Sequence, residues 1–183
     1  MSPQGHRGRR VAASAHLAPQ DAVVSETFMG SARHFTAAAI VVDDDHRVLL
    51  VRHNKIGMWI YPGGHLAEQE DPVEAAVREV REETGIDVRV VDRQPFVHPA
   101  ARTIPSPFAI LEIDMKTAAL EVHHHVEMIY VCRPGEGLLR PQLSEVSACR
   151  WFSAAEVEQL DTPPELPALV AAAINWLGTR GQE

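Results

Sequence analysis

The stretch from Asp71 to Gly85, DPVEAAVREVREETG, fixes a helix at both ends. Asp71 has the side chain of an N-cap, Pro72 stands at the first helical position, and Glu74 completes an Asp-x-x-Glu capping box. Val73, Ala76, Val77 and Val80 recur at i, i+3, i+4 and i+7, one apolar stripe at helical spacing. Gly85 is placed to close the helix in a left-handed cap. The pattern therefore predicts a helix over 72–84 packed on a larger structure. The same stretch carries a cost. Glu79, Glu82 and Glu83 fall within about one and a half turns, and like charges three or four residues apart repel. The three carboxylates are expected beside the apolar stripe, at the rim of whatever the helix packs on.

The flanking sequence supplies a sheet. FTAAAIVV (35–42) and RVLLVRH (47–53) are apolar, partly β-branched runs joined by the turn-rich DDDH (43–46), and they predict a β-hairpin. A short strand is expected around Trp59 to Tyr61, ended by a tight loop at Pro62-Gly63-Gly64. Strands are also expected at 86–92, 107–114, 122–131 and 147–152. Ser153 and Glu156 open a short helix with a second capping box, and a last helix spans roughly 165–177. Interleaved strands and helices predict an α/β fold, with a mixed β-sheet between helices.

At 183 residues and 45% apolar composition, the chain is sized for one domain, expected over 31–180. Residues 1–30 read as a disordered tail. The candidate apolar core there, VAASAHLA, is weak and carries His16, which argues against a signal peptide. No apolar run is long enough to span a bilayer. The two cysteines, Cys132 and Cys149, form no CxxC pair, and buried thiols in a reducing cytoplasm are the plain expectation. A net charge of −8 disfavours a nucleic-acid partner, which needs a basic surface.

The helix and the loop before it form a longer pattern, GHLAEQEDPVEAAVREVREETGI, from Gly64 to Ile86. Gly64, Glu70, Arg78-Glu79-Val80, Glu82-Glu83 and Gly85-Ile86 stand at spacings that resemble the signature box of the Nudix hydrolases. Chance at average composition would produce such a pattern with probability on the order of 10⁻⁷ in a chain this long. An ordinary charged helix accounts for the glutamates, but not for Gly64, Glu70, Arg78 and Gly85. The resemblance spans about residues 35–178 and implies a Nudix-type α/β/α sandwich.

Carboxylates at i, i+3 and i+4 make half of a site for Mg²⁺, a hard cation that takes oxygen ligands and shares substrate phosphates. By the family's pattern Glu79, Glu82 and Glu83 bind Mg²⁺ (Mn²⁺ being an alternative), and the carbonyl of Gly63 can join them. Gly64, Glu70, Arg78 and Gly85 are structural: Arg78 pairs with Glu70 to pin the loop on the helix. The resemblance implies hydrolysis of a diphosphate bond in a nucleotide or nucleoside-diphosphate-linked substrate, with a carboxylate taking the proton of the attacking water. Glu83 and Glu82 are the candidates from the box, and Glu127 is the candidate from outside it. The plain reading of Glu127 is a solvent-facing strand residue.

VHHHVE (122–127) alternates, so that His123, His125 and Glu127 share one strand face and His124 points away. Histidines there could hold phosphate or a transition metal, although exposed strand histidines more often do neither. With His65, next to the glycine loop, His123 and His125 complete the candidate substrate-binding set. An isopentenyl diphosphate isomerase shares the implied fold but needs a cysteine in its early half, and both cysteines here come late. A non-catalytic nucleotide sensor tends to have a damaged box, and this box is intact. The resemblance also implies a homodimer, which is common in the family.

Overall fold

The computed structural model describes residues 33–93, 96–116 and 122–179. The N-terminal segment read as a tail lies outside the described residues, as do the side chains of residues 115, 116, 122 and 123. The strands are β1 (Arg33–Val41), β2 (Val48–His53), β3 (Trp59–Ile60), β4 (Gly63–His65), β5 (Ile86–Val90), β6 (Ala109–Lys116), β7 (Val122–Gly137) and β8 (Val146–Phe152). The helices are α1 (Pro72–Thr84), α2 (Ala154–Val157) and α3 (Leu166–Gly178).

The strands form two sheets. The larger runs β4-β1-β7-β5, with β6 also on β7, and the smaller runs β3-β2-β8. β1 and β7 are parallel, and the other pairs are antiparallel. This is a mixed sheet arrangement. Side chains alternate across β1, and each set has its own core. Ala38, Ile40 and Val42 pack with Val170, Ala173 and Leu177 of α3. Ala37, Ala39 and Val41 pack with Ala75, Ala76 and Val80 of α1. Helices on opposite faces of the sheet give the α/β/α sandwich that the pattern implied.

Three sequence expectations change. The run at 35–42 and the run at 47–53 are not a two-stranded hairpin. Their turn closes through Asp43 N–H to Arg47 O and a bridge between Val42 and Val48. Beyond it the strands part: β1 has both edges filled by β7 and β4, and β2 pairs with β3 and β8. The glycine loop is also more regular than expected, since Gly63, Gly64 and His65 form β4 against Ala38, Ala37 and Thr36.

The third change concerns α1. Its caps are as read: Asp71 accepts from Val73 N–H and Glu74 N–H, Glu74 closes the box, and Gly85 takes φ 75°. Its buried line differs, consisting of Ala75, Ala76, Glu79, Val80, Glu83 and Thr84. Val73 and Val77 are only half-buried. Alanines on the helix and on β1 allow close approach, and the helix is rolled so that two glutamates lie under it. Glu79 and Glu83 are thus buried rather than on a rim, and only Glu82 is on the exposed side.

Candidate active site

Burying two carboxylates needs room and compensation. The room comes from Gly64. A methyl group there would lie 2.3 Å from Glu79 Oε1 and 2.5 Å from its Cδ. Gly63 is constrained by the sheet instead, because a methyl group there would lie 2.5 Å from Ala38 Cβ. Its backbone N–H donates to Glu83 Oε2 at 3.3 Å. The pair of glycines therefore does two jobs: one holds the strand against β1 and the other leaves space for a carboxylate.

Arg78 gathers the acidic side chains around it. Its Nε donates to Glu70 Oε1 at 2.8 Å and its Nη2 to Glu70 Oε2 at 2.9 Å, a two-point grip. Nη2 also reaches His65 O at 3.1 Å, and Nη1 bridges Glu79 Oε1 at 2.8 Å and Glu82 Oε2 at 3.0 Å. A rigid fork of five donors is suited to this, and lysine would not reproduce it. The Arg78 guanidinium holds the Glu70 carboxyl below its ordinary value. Glu70 Oε2 further accepts from Ala67 N–H at 3.1 Å, so the loop 66–70 is tied to the helix.

Glu83 differs. It is 2% exposed, and its charged neighbours are Glu79, Glu145 and Glu82, all carboxylates. Burial, followed by the charge of Glu79, pushes its carboxyl up to about 8. Burial also raises Glu79, although Arg78 opposes this. Ligand oxygens of Glu79, Glu83 and Glu145 all lie within 4.8 Å of one another. The three carboxylates that converge are two of the box glutamates and Glu145. Glu82, 49% exposed at its side chain, is held by Arg78, and Glu145 takes the third place.

Glu145 is a residue that sequence reasoning missed. It precedes β8 in a loop with no local pattern to mark it. The loop is fastened at several points. Arg140 N–H donates to Thr84 O at 2.7 Å and Gln142 N–H to Glu83 O at 3.1 Å, satisfying terminal carbonyls of α1. Asn54 N–H donates to Glu145 O at 2.8 Å. The signal was long-range, set by β8 pairing with β2, and could not be read from neighbours in the chain.

These acids line one cavity of about 1010 Å³. Glu127, His125, His65 and Thr36 line the same cavity. Glu127 is not a solvent-facing strand residue, since it is half-buried there and accepts from Tyr61 O–H at 2.6 Å. Burial raises its carboxyl, and the tyrosine hydrogen bond opposes the rise. His65 and His125 are brought together, with ring centroids 4.9 Å apart. The His65 imidazole is lowered by burial and then by His34. His123 stands on β7 opposite Met115, but its side chain lies outside the described residues. His124 points away as expected and meets Asp114, Nδ1 to Oδ1, at 2.8 Å. Cys132 and Cys149 are free and buried. None of the described helices is long and apolar enough to cross a membrane.

The chain is similar in sequence and in fold to known proteins. A family model described as the NUDIX domain matches residues 32–173. A MutT-like protein of Streptomyces ambofaciens is 31% identical over 124 residues, covering 68% of this chain and 66% of that protein. The chain thus spans about two thirds of that relative. The phosphatase NudJ of Escherichia coli K12 is 33% identical over 128 residues, covering 69% of this chain and 72% of NudJ. Among solved structures, a NUDIX-family hydrolase from Clostridium perfringens aligns with TM-score 0.66 at 22% identity, over 79% of this chain and 98% of that one. The NUDIX domain of Shewanella oneidensis NrtR, solved with ADP ribose, aligns with TM-score 0.56 at 22% identity, over 81% and 90%.

Proposed function

The chain belongs to the NUDIX family of hydrolases, and on that premise we propose that it cleaves a diphosphate bond in a nucleotide or nucleoside-diphosphate-linked substrate, using Mg²⁺ or Mn²⁺. The observation that carries this reading is the convergence of Glu79, Glu83 and Glu145 within 4.8 Å. Three carboxylate oxygens suit a hard divalent cation. The fit extends to charge, because burial, and after it the neighbouring carboxylates, raise the Glu83 carboxyl. A cation in that place would remove the repulsion that makes the metal-free arrangement costly.

Glu79, Glu83 and Glu145 would hold the ion, with Glu82 and the Gly63 carbonyl at the margin of the same site. When bound, the cation neutralises diphosphate oxygens and makes water more acidic. The chain's own residues do the rest. Arg78 fixes the loop 66–70 and orients Glu79. Gly64 keeps the space that Glu79 fills. Two carboxyls that line the cavity could accept a proton from attacking water, Glu83 in the cluster and Glu127 outside it. Glu82 is the remaining box candidate, and Arg78 holds it by a hydrogen bond. His65 and His125 line the cavity with Glu127. A cavity of about 1010 Å³ exceeds what a diphosphate alone fills and leaves space for an attached organic group.

The experiment is a screen of nucleoside-diphosphate derivatives with Mg²⁺, scoring phosphate release after coupling to a phosphatase. Release that vanishes on chelation supports the reading. No metal-dependent release from any derivative would overturn it.

A further inference from the structure

We propose that His34, His65 and His125 form a binding site for a borderline transition-metal cation of the zinc class, separate from the carboxylate site. The three residues come from adjacent strands whose register is fixed. His34 on β1 lies directly opposite His125 on β7, and Thr36, two residues along β1, lies opposite His65 on β4. His65 meets His125 and His34 edge to face, with centroids 4.9 Å and 5.6 Å apart, and His34 and His125 are tilted at 59° with centroids 5.9 Å apart.

Those separations are close to what a metal requires. A Zn–N bond of about 2.05 Å, with the ring centroid roughly 1.2 Å behind the nitrogen, puts tetrahedral imidazoles about 5.3 Å apart between centroids. The ring nitrogens are not converged in the metal-free arrangement. Binding would turn the rings about χ2, with the strands staying in register. Imidazole suits zinc, copper, nickel and iron, whereas Mg²⁺ takes oxygen. The two sites in one molecule therefore differ in the metal they select.

A second observation points to a ligand here. Among the described residues, the buried side-chain polar atom with no hydrogen bond is Thr36 Oγ1. Thr36 is 3% exposed and lies between His65 on β4 and Glu127 on β7, lining the cavity. A buried hydroxyl left without a partner is costly. A water in the fourth coordination position, held by three imidazoles, would give Thr36 its hydrogen bond and open on the cavity that Glu127 also faces.

The test uses the full chain carrying Glu83→Gln, which weakens the carboxylate site, titrated with Zn²⁺ by calorimetry and with Co²⁺ by visible spectroscopy. The proposal expects one saturable Zn²⁺ and a Co²⁺ absorption band of the intense tetrahedral kind. Adding His34→Ala should weaken Zn²⁺ binding by about tenfold or more, the scale of losing a supporting contact or ligand. His34 is exposed, so the variant should fold, which circular dichroism checks, and His125→Ala provides a second readout. No saturable Zn²⁺ in the Glu83→Gln protein, or binding unchanged by both histidine substitutions, would overturn the proposal. The readout needs no substrate, so its failure is distinct from failure of the hydrolytic reading.

Discussion

Glu83→Gln should inactivate the protein while making its metal-free form more stable. In the folded metal-free chain the Glu83 carboxyl is raised from 4.5 to about 8. The folded state therefore binds a proton more tightly than the unfolded state does, and stability is lost as pH rises from the unfolded value through the folded one. Each pH unit in that window costs about 1.4 kcal/mol, so by about pH 8 the loss is on the order of 4 kcal/mol. For a domain of this size that is a fall in melting temperature of roughly 10 °C. Burial raises Glu79 as well, which acts in the same direction. Glutamine removes the charge, keeps an acceptor for Gly63 N–H, and presents an amide to the carboxylates of Glu79 and Glu145. The assay is thermal unfolding in chelator at about pH 5.5 and about pH 8.5. The wild type should lose stability between the two and recover it with millimolar Mg²⁺ or Mn²⁺, since a ligand of the folded state alone stabilises it. The variant should be flatter with pH, more stable than wild type at the higher pH, and unresponsive to Mg²⁺ or Mn²⁺. Its hydrolysis should fall by at least about 10²-fold. A wild type with no pH dependence, or a variant less stable than wild type at the higher pH, would refute the reasoning.

Other substitutions separate fold from chemistry. Gly63→Ala sets a methyl 2.5 Å from Ala38 Cβ and should destabilise the chain by about 1–3 kcal/mol, read by denaturant titration. Gly64→Ala instead strikes the Glu79 carboxylate, so metal affinity by calorimetry should drop more than stability does. Arg78→Lys loses the two-point grip on Glu70 and should lower kcat/KM with a modest change in melting temperature. Tyr61→Phe removes a donor that lowers the Glu127 carboxyl. If Glu127 is the base, the acidic limb of the pH–rate profile should move to higher pH, and an unmoved limb would exclude that role.

What could be read from the sequence was local. Asp71, Pro72, Glu74 and Gly85 mark the ends of α1 through interactions no more than four residues long, and all four act as read. The grip of Arg78 on Glu70 was similarly legible, because both residues belong to one box. The roll of α1 was not legible. Periodicity favoured Val73 and Val77 for the core, but the alanines of β1 and the gap at Gly64 draw Ala75, Glu79 and Glu83 inward. Glu145 reaches the site only because β8 pairs with β2 and the preceding loop fastens on Thr84 and Glu83. His34 joined the histidine group through the parallel pairing of β1 with β7, a partnership no hydrophobic pattern specifies.

The proposed hydrolysis depends on a cation held by the carboxylates of Glu79, Glu83 and Glu145. The most direct measurement is phosphate release from a nucleoside-diphosphate derivative by wild type, Glu83→Gln and Glu145→Gln, each titrated with Mg²⁺. Wild type should turn over with saturable Mg²⁺ dependence, Glu83→Gln should be inactive at every concentration, and Glu145→Gln should need more Mg²⁺ for the same rate. Turnover of Glu83→Gln at the wild-type rate, with the wild-type Mg²⁺ dependence, would contradict the account.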